Sequence, residues 1–232
     1  MRKASLLKKI TILVMILALP GFLYYLLTAK GKNRYKPLAF YGSKTVAKTS
    51  HKVHGKVIPD TIYHTIGDFT FTDQNGKPVN AKSFDKKVLV VALFYTRCPE
   101  VCTTVNSFMD SLDVNYRKNK MVQFASITVD PDHDTPPVLK AYADKFKPSD
   151  KWLFLRGDTT TTYNLARNGL LVNALKTGEG NYILDDKLIL IDGERRVRGY
   201  YSGSTRADVM KLNDEIKVQI AEELRKVDKA LY

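Results

Sequence analysis

Apolar and polar positions follow two different periods along residues 61–232, which indicates strands that alternate with helices. Residues 88–94 form a continuous apolar run, typical of a central strand that is buried on both faces. Residues 121–129 and 152–155 repeat that character, and further helices are predicted over 138–146 and 163–171. Apolar residues recur at helical spacing after the first strand, namely Val101, Val105, Phe108, Met109, Leu112 and Tyr116. The pattern predicts an α/β fold, with a central mixed sheet flanked by helices.

Two hairpins and a long helix complete this pattern. Residues 66–79 predict a hairpin, because Asn75-Gly76 supplies the positive φ angles of a tight turn. Residues 187–192 and 197–201 predict a second hairpin around Gly193, and Thr205 predicts the start of a C-terminal helix. Since a cysteine pair also stands at the first strand-to-helix junction, the specific prediction is a thioredoxin-like domain.

The N-terminal part of the chain has a different pattern. Residues 10–28 contain no charge and are long enough to span a bilayer, which predicts a transmembrane signal anchor. Four basic residues precede this segment, and they favour a cytoplasmic start with the rest of the chain on the extracytoplasmic side. A cleaved signal peptide is the alternative, but the apolar stretch is longer than a usual signal core and no clear cleavage site follows it.

Most of the net charge of +13 comes from the first 36 residues. Residues 1–36 contain eight Lys/Arg and no Asp/Glu, so the remaining 29 basic and 24 acidic residues leave only +5. That excess provides no basic block of the kind that binds nucleic acid, and two cysteines are too few for a disulfide scaffold or a zinc-finger array. We divide the chain into a basic tip (1–9), the anchor (10–28), a polar spacer (29–60) and the domain (61–232).

Cys98 and Cys102 are the two cysteines of the chain, and they directly follow the apolar run at 88–94. An offset of four is about one helical turn, so both sulfurs would project from one face and could share a metal ion or form a disulfide. In an oxidising compartment, a pair that is not simply a disulfide must be held apart, kept reduced or metallated. A purely structural disulfide is a further alternative, although it would close only a very small loop.

The residues around Cys98 predict which thiol is more reactive. Pro99 fits the first helical position, which makes Cys98 the N-cap of the helix. Helix-terminal N–H groups stabilise a thiolate there, Arg97 adds to this effect, and Glu100 opposes it. Cys98 is therefore predicted to be the attacking thiol, and Cys102 the partner one turn deeper.

Three motifs together resemble the SCO/SenC family over roughly residues 60–205. They are Phe94-Tyr95-Thr96-Arg97-Cys98-Pro99-x-x-Cys102, Asp130-Pro131-x-x-Asp134-Thr135-Pro136 and Trp152-x-Phe154-Leu155-x-Gly157. The resemblance implies a membrane-tethered thioredoxin-like domain that binds copper through two cysteines and one distant histidine. It also implies the task, which is to deliver copper to, or to reduce the cysteines of, the binuclear copper site in a cytochrome oxidase subunit.

The chain departs from that family at the third ligand. The family pattern places its histidine at Leu184, or at Asp185 or Asp186 if the alignment shifts by one or two residues. Leucine cannot bind a metal, and carboxylates are hard ligands that suit copper(I) poorly. No histidine occurs after His133, so the family's third ligand is missing.

His133 is the best surrogate ligand that the sequence offers. It follows the second predicted strand, as Cys98 follows the first, and loops after parallel strands share one edge of a sheet. The alternative is an exposed loop residue. Asp130, Asp132 and Asp134 either shape the turn before the next helix, or Asp130 or Asp134 supplies hydrogen bonds near the sulfurs.

Two functions remain open. The first is a copper-binding metallochaperone in which Cys98 and Cys102 bind copper, copper(I) in preference to copper(II). The second is an enzyme, a thiol–disulfide oxidoreductase that uses the same two residues as a redox pair. In both cases we expect a single-pass protein of the inner (cytoplasmic) membrane with its domain on the extracytoplasmic side. The resemblance implies the copper-site subunit of a cytochrome oxidase as the partner.

Overall fold

The structure, a computed structural model, describes residues 2–29, 37–53 and 55–230. The chain forms two compact units, Met1–Lys36 and Pro37–Tyr232. In the first unit, α1 (Arg2–Ala29) contains an exposed apolar stretch, Lys8–Leu26. Within the described residues this is the one helix that is long and apolar enough to cross a membrane, and it includes most of the predicted segment 10–28.

A seven-stranded mixed sheet forms the centre of the second unit. In spatial order its strands are β11 (Val197–Ser202), β10 (Lys187–Ile191), β5 (Val88–Phe94), β6 (Val122–Thr128), β7 (Trp152–Arg156), β3 (Thr70–Asp73) and β4 (Pro78–Asn80). The three strands β5, β6 and β7 are parallel, and the outer pairings are antiparallel. Every residue of β5 is buried, as its unbroken apolar run requires.

Helices follow the three parallel strands and the last strand, β11. They are α2 (Glu100–Tyr116), α3 (Pro136–Ala143), α4 (Thr159–Asn164), which continues as a π-helical turn over Leu165–Gly169, and α5 (Arg206–Ala230). Phe94 at the end of β5 pairs with Thr128 at the end of β6, so the loops that precede α2 and α3 leave the sheet at the same edge. The predicted thioredoxin-like α/β architecture is confirmed.

The second half of the predicted polar spacer, 29–60, forms regular secondary structure. Residues 44–53 and 56–63 form an antiparallel hairpin of β1 (Lys44–Val53) and β2 (Lys56–Tyr63). Residues 30–36 of the predicted spacer lie outside the described residues. Lysines at regular intervals hid a strand pattern of β-branched residues, and Gly55 with φ +78° supplies the turn.

A further hairpin occurs over residues 174–184, where the sequence pattern predicts no strand. It consists of β8 (Ala174–Gly178) and β9 (Asn181–Leu184), with Gly180 at φ +70° in the turn. The next strand, β10, pairs with β5. The β8–β9 hairpin therefore leads directly into the strand beside the cysteine loop.

Candidate thiol and metal site

The cysteine pair stands where β5 passes into α2. Residues 95–98 form the connecting loop, which we call the cysteine loop. Cys98 and Cys102 form a disulfide, and their Cα atoms are 5.9 Å apart. The disulfide considered in the sequence analysis is therefore present. Cys102 is buried and Cys98 is half-buried, so Cys98 is the more accessible of the two sulfur-bearing residues.

Cys98 is not the N-cap of α2, in contrast to the prediction. Pro99 is the N-cap, with φ −57° and ψ −180°, and Glu100 is the first helical residue. Because the ψ angle of Pro99 is extended, the helix begins one residue later than a proline at the first helical position implies. Cys98 lies one residue before the N-cap and two before the first helical residue, where the helix-terminal N–H groups act less directly on its sulfur.

Arg97 is engaged with a carboxylate and does not act on Cys98 alone. Its Nη2 lies 2.5 Å from Oδ2 of Asp130. The guanidinium also packs against Gly180, where an added Cβ would lie 3.3 Å from it. The hydroxyl of Tyr182 in β9 also interacts with Asp130. Asp130 thus connects the cysteine loop with the β8–β9 hairpin.

The pKa values of this group follow from its contacts. Burial raises the pKa of Asp130, but the hydrogen bonds from Arg97 and Tyr182 outweigh burial and hold the pKa below its ordinary value. Burial, and after it the bond to Asp130, raise the pKa of Tyr182 above its ordinary range. Asp130 is therefore an anion and Tyr182 a neutral donor at neutral pH. The ring of Tyr182 also lies 4.8 Å from that of Tyr95 in the cysteine loop.

Asp134 fixes the other side of the cysteine loop. Its fully buried carboxylate accepts hydrogen bonds from the backbone N–H of Thr96, at 3.0 Å, and from the Thr96 hydroxyl, at 2.5 Å. The hydroxyl of Thr128, at the end of β6, donates to the same carboxylate. Asp134 therefore joins the loop after β5 to the end of β6, and the predicted role in shaping the turn extends to the cysteine loop.

A cavity of about 230 Å³ opens beside the disulfide. Both cysteines line it, together with Tyr95 and Val101 on one side and residues 182–186 on the other. In β9, Tyr182 and Leu184 are half-buried whereas Ile183 is exposed, as expected for alternating faces of a strand. The β8–β9 hairpin consequently covers the cysteines with a largely apolar surface.

Residues 184–186 line the cavity with the cysteines, and these three candidate positions have different surroundings. Leu184 packs against the core. Asp185 accepts hydrogen bonds from the backbone and side chain of Asn173. Asp186 accepts from the hydroxyls of Ser202 and Ser204. The two carboxylates are thus already bonded within the fold, whereas Leu184 offers only apolar contact.

His133 lies at the predicted edge of the sheet but not in the cavity. Its Nδ1 is 2.9 Å from Oδ1 of Asp134. Asp130, His133 and Asp134 have potential ligand atoms within 4.8 Å of one another, but Arg97 and Thr96 already engage the two carboxylates. The other histidines lie elsewhere: His51 on β1, His64 against the carbonyl of Gly169, and His54 outside the described residues. Among the described residues, none of the imidazoles lines the cavity.

Comparison with known proteins agrees with this geometry. The SCO1/SenC family model matches residues 59–219. The chain belongs to the SCO1/SenC family. The matched range contains the cysteine loop, the loop of Asp130 and Asp134, and the β8–β9 hairpin. It leaves out α1 and all of β1.

Similar proteins span nearly the whole chain or its folded domain. The SCO2-like protein of Rickettsia felis is 27% identical over 217 residues, which are 90% of this chain and 97% of that protein. BsSco, described as having a disulfide switch and as a member of the Sco family of cytochrome c oxidase assembly proteins, has a TM-score of 0.60 and 25% identity, covering 67% of this chain and 93% of its own. ScoI of Bradyrhizobium japonicum, solved with copper bound, has a TM-score of 0.53 and 25% identity. The match covers 67% of this chain and 99% of that protein's chain.

Sequence reasoning missed Tyr182 and the role of Thr96. Two signals pointed to Tyr182: glycines at 178 and 180 mark a turn, and Tyr182 and Leu184 alternate with polar or exposed positions. The bond between Thr96 and Asp134 had no local signal, because 38 positions separate the two residues. Only the parallel pairing of β5 with β6 brings them together.

Proposed function

We propose that this chain is a membrane-tethered copper-binding protein that assists copper-site assembly in a respiratory cytochrome oxidase. One observation carries the proposal: in a member of the SCO1/SenC family, two sulfurs lie together beside a mostly apolar cavity at the edge of the sheet. The copper ion is the cargo of this function. Its destination would be the copper-site subunit of the oxidase.

The donor set fits copper(I) better than copper(II). Reduction of the disulfide by a dithiol donor, with transfer of two electrons and two protons, gives two thiols, and thiolates are soft ligands that suit copper(I). Copper(II) is a borderline ion that benefits from imidazole, and the described part of the cavity provides none. His133 lies outside the described lining of the cavity, and its Nδ1 contacts Asp134.

The helix α1 supports the tethered part of the proposal. It is long and apolar enough to cross a bilayer once. The basic residues before the apolar stretch favour a cytoplasmic N-terminal end and a domain outside the cytoplasm. That location would be the extracytoplasmic face of the inner (cytoplasmic) membrane, where the disulfide is chemically stable.

Copper binding to the reduced protein tests this function. The full chain in detergent, reduced and titrated anaerobically with copper(I) against a competing chelator, should bind one copper ion per chain. Cys98→Ser and Cys102→Ser should each abolish tight binding, whereas Asp132→Ala on the neighbouring loop should not. Equal copper(I) affinity in the wild-type protein and in both serine variants would refute the proposal.

Thiol–disulfide exchange is a second candidate function, favoured by the closed disulfide and by the lack of imidazole at the described cavity. In the reducing direction, the Cys98 thiolate attacks a disulfide of the partner and expels one partner thiolate. The Cys102 thiolate then attacks Cys98 in the mixed disulfide, which releases the second partner thiolate and restores Cys98–Cys102. Two electrons pass to the partner, and its two thiolates take up protons from solvent.

Trapping experiments separate the two cysteine roles. Cys102→Ser should accumulate a mixed disulfide with a target dithiol peptide in its oxidised form, because the resolving thiol is missing. Cys98→Ser should accumulate none. Equal trapping by both variants would contradict these roles, and the absence of exchange in the wild-type protein would exclude the second function.

A further inference from the structure

The hairpin formed by β1 and β2, which we call the arm, projects from the domain. Among the described residues 44–52 and 55–62, Ala47 and Asp60 are half-buried and the others are exposed. A two-stranded hairpin alone is marginally stable in water, because neither face is covered. The arm therefore presents two sheet faces that the described part of the domain leaves open.

The base of the arm is held firmly. The ring of Tyr63 stacks on that of Phe40, with centroids 4.1 Å apart, and Arg196 lies over both rings. The N–H of His64 donates to the carbonyl of Ser43, which closes the base. The arm consequently extends in a defined direction from the domain and is not a loose connection.

One face of the arm is basic and apolar. Cross-strand pairs place Lys44 opposite Tyr63 and Lys52 opposite Val57 on this face. Val46 lies on the same face, opposite Thr61, and Lys48 lies in the bulge of β1 between Val46 and Ser50. Val46 and Val57 are 75% and 63% exposed. We call this set of side chains the lysine face.

The acidic group of the arm lies on the other face. Asp60 is the only Asp or Glu between residues 37 and 63. Its carboxylate is 2.6 Å from Nδ1 of His51, which is on the same opposite face. The lysine face thus carries Lys44 and Lys52, with Lys48 in the adjoining bulge, and no negative charge of its own.

We propose that the lysine face docks on the anionic lipid surface of the membrane in which the chain is anchored. Lysines attract anionic headgroups, and the exposed valines between them can bury apolar surface at the headgroup boundary. Residues 30–43 connect α1 to the arm, and 14 residues reach at most about 50 Å, so the arm starts within reach of a bilayer that holds α1. This proposal rests on the anchoring role proposed for α1.

A second copy of the chain is a less suitable occupant. Pro59 removes a backbone donor from β2, and lysines at an exposed strand are the features that oppose strand-to-strand pairing. Like charges on two lysine faces would also repel each other. The positive charge instead favours a surface of opposite sign.

Hydrogen exchange on the reconstituted full chain tests the proposal. The protein is placed in vesicles of phosphatidylcholine alone, or of phosphatidylcholine mixed with phosphatidylglycerol, and amide exchange is compared over residues 44–63. Anionic vesicles should slow exchange in the arm, and high salt should reverse this. Loss of three lysines, K44Q/K48Q/K52Q, should weaken docking on the order of 100-fold, since each lysine near an anionic surface contributes roughly fivefold.

A matched variant controls for total charge. K77Q/K82Q/K118Q removes three exposed lysines elsewhere in the domain and should keep the protection. Equal exchange on neutral and anionic vesicles, or equal loss in both triple variants, would overturn the proposal. Protection that depends on protein concentration in detergent would assign the face to a second copy instead.

A separate experiment tests whether α1 anchors the chain. Flotation with neutral vesicles, which do not attract the arm, reports on α1 alone. A chain that floats with neutral vesicles but shows no lipid-dependent arm protection would refute only the docking proposal. A chain that floats with anionic vesicles only, in a manner abolished by K44Q/K48Q/K52Q, would refute the anchor and retain the docking.

Discussion

The β6–α3 loop and the β8–β9 hairpin approach the cysteine loop from two sides, and different contacts attach them to it. Asp134 of the β6–α3 loop is fully buried and accepts several hydrogen bonds from Thr96 and Thr128. The hairpin is half-exposed and is attached by Tyr182, through its ring on Tyr95 and its hydroxyl near Asp130, and by Leu184, which packs against the core.

The two attachments should control different properties, namely the stability of the cysteine loop and the access to its sulfurs. A buried carboxylate with several donors is costly to remove, because each donor would remain unsatisfied in the interior. A half-exposed hairpin with fewer buried polar contacts can open at a smaller free energy. The β6–α3 loop should therefore determine whether the cysteine loop is folded, and the hairpin how easily the sulfurs are reached.

The largest effect should come from Asp134→Ala. The substitution leaves the N–H and hydroxyl of Thr96 and the hydroxyl of Thr128 without their acceptor. We expect the free energy of unfolding to fall by about 3 kcal/mol, measured by urea denaturation of the oxidised protein. Asp132→Ala, two positions away and exposed, is the matched control and should change it by less than about 0.5 kcal/mol. Similar values for both variants would show that Asp134 does not support the loop.

The second-largest effect should come from placing a copper ligand in the β8–β9 hairpin. Leu184→His introduces an imidazole on the half-buried face of β9 that lines the cavity with the cysteines. After reduction of the disulfide, copper(II) affinity should rise tenfold or more, at least about 1.4 kcal/mol, because imidazole suits this ion. The loss of apolar burial should destabilise the domain by about 1–2 kcal/mol, which thermal unfolding measures separately.

Asp185→His and Asp186→His are the comparison for that variant. Their side-chain positions contact Asn173 and the serines Ser202 and Ser204, respectively, so we expect smaller gains in copper(II) affinity. A larger gain at either position would show that the ligand position lies one or two residues after Leu184. No gain at any of the three would mean that the hairpin does not bring a ligand to the sulfurs.

A smaller effect should follow from Tyr182→Phe. The variant keeps the ring against Tyr95 and removes only the hydroxyl that bonds to Asp130. The hairpin should open more often, and reduction of the disulfide by a water-soluble phosphine should accelerate roughly fivefold, about 1 kcal/mol. Tyr163→Phe removes a hydroxyl bonded to the carbonyl of Val129 and is the matched control, for which we expect an unchanged rate. Equal acceleration in both variants would contradict a specific role of Tyr182.

The two sides of the cysteine loop also differ in how far the sequence predicts them. The fully apolar run of β5 and the motif around Cys98 define the strand, the turn and the position of the disulfide through local pattern alone. Asp130 and Asp134 stand out in the sequence, but their partners Arg97 and Thr96 are assigned only by the parallel pairing of β5 with β6.

The hairpins were harder to predict for a physical reason. Strands that are half-exposed carry few apolar residues, so β8 and β9 resemble a loop rich in glycine and charge. The same applies to β1 and β2, in which lysines interrupt the β-branched residues. The helix start after Cys98 also differed by one residue, since the ψ angle of Pro99 is not determined by proline itself.

The smallest effect is the pH dependence of the Tyr182 contact. The pKa of Asp130 in the folded protein lies below its ordinary value, because the bonds from Arg97 and Tyr182 outweigh burial. A carboxylate with a lowered pKa contributes its full stabilisation above its pKa in the unfolded chain, about 4. That stabilisation is lost as the pH falls through its pKa in the folded protein. The ratio of the Tyr182→Phe and wild-type reduction rates should therefore stay constant from neutral pH to about 4 and approach one below it. Phosphine reduction followed across this range measures the ratio. Asp130→Asn cannot ionise, so in its background the ratio should show no such acid transition, and a transition that persisted there would assign the effect to another group.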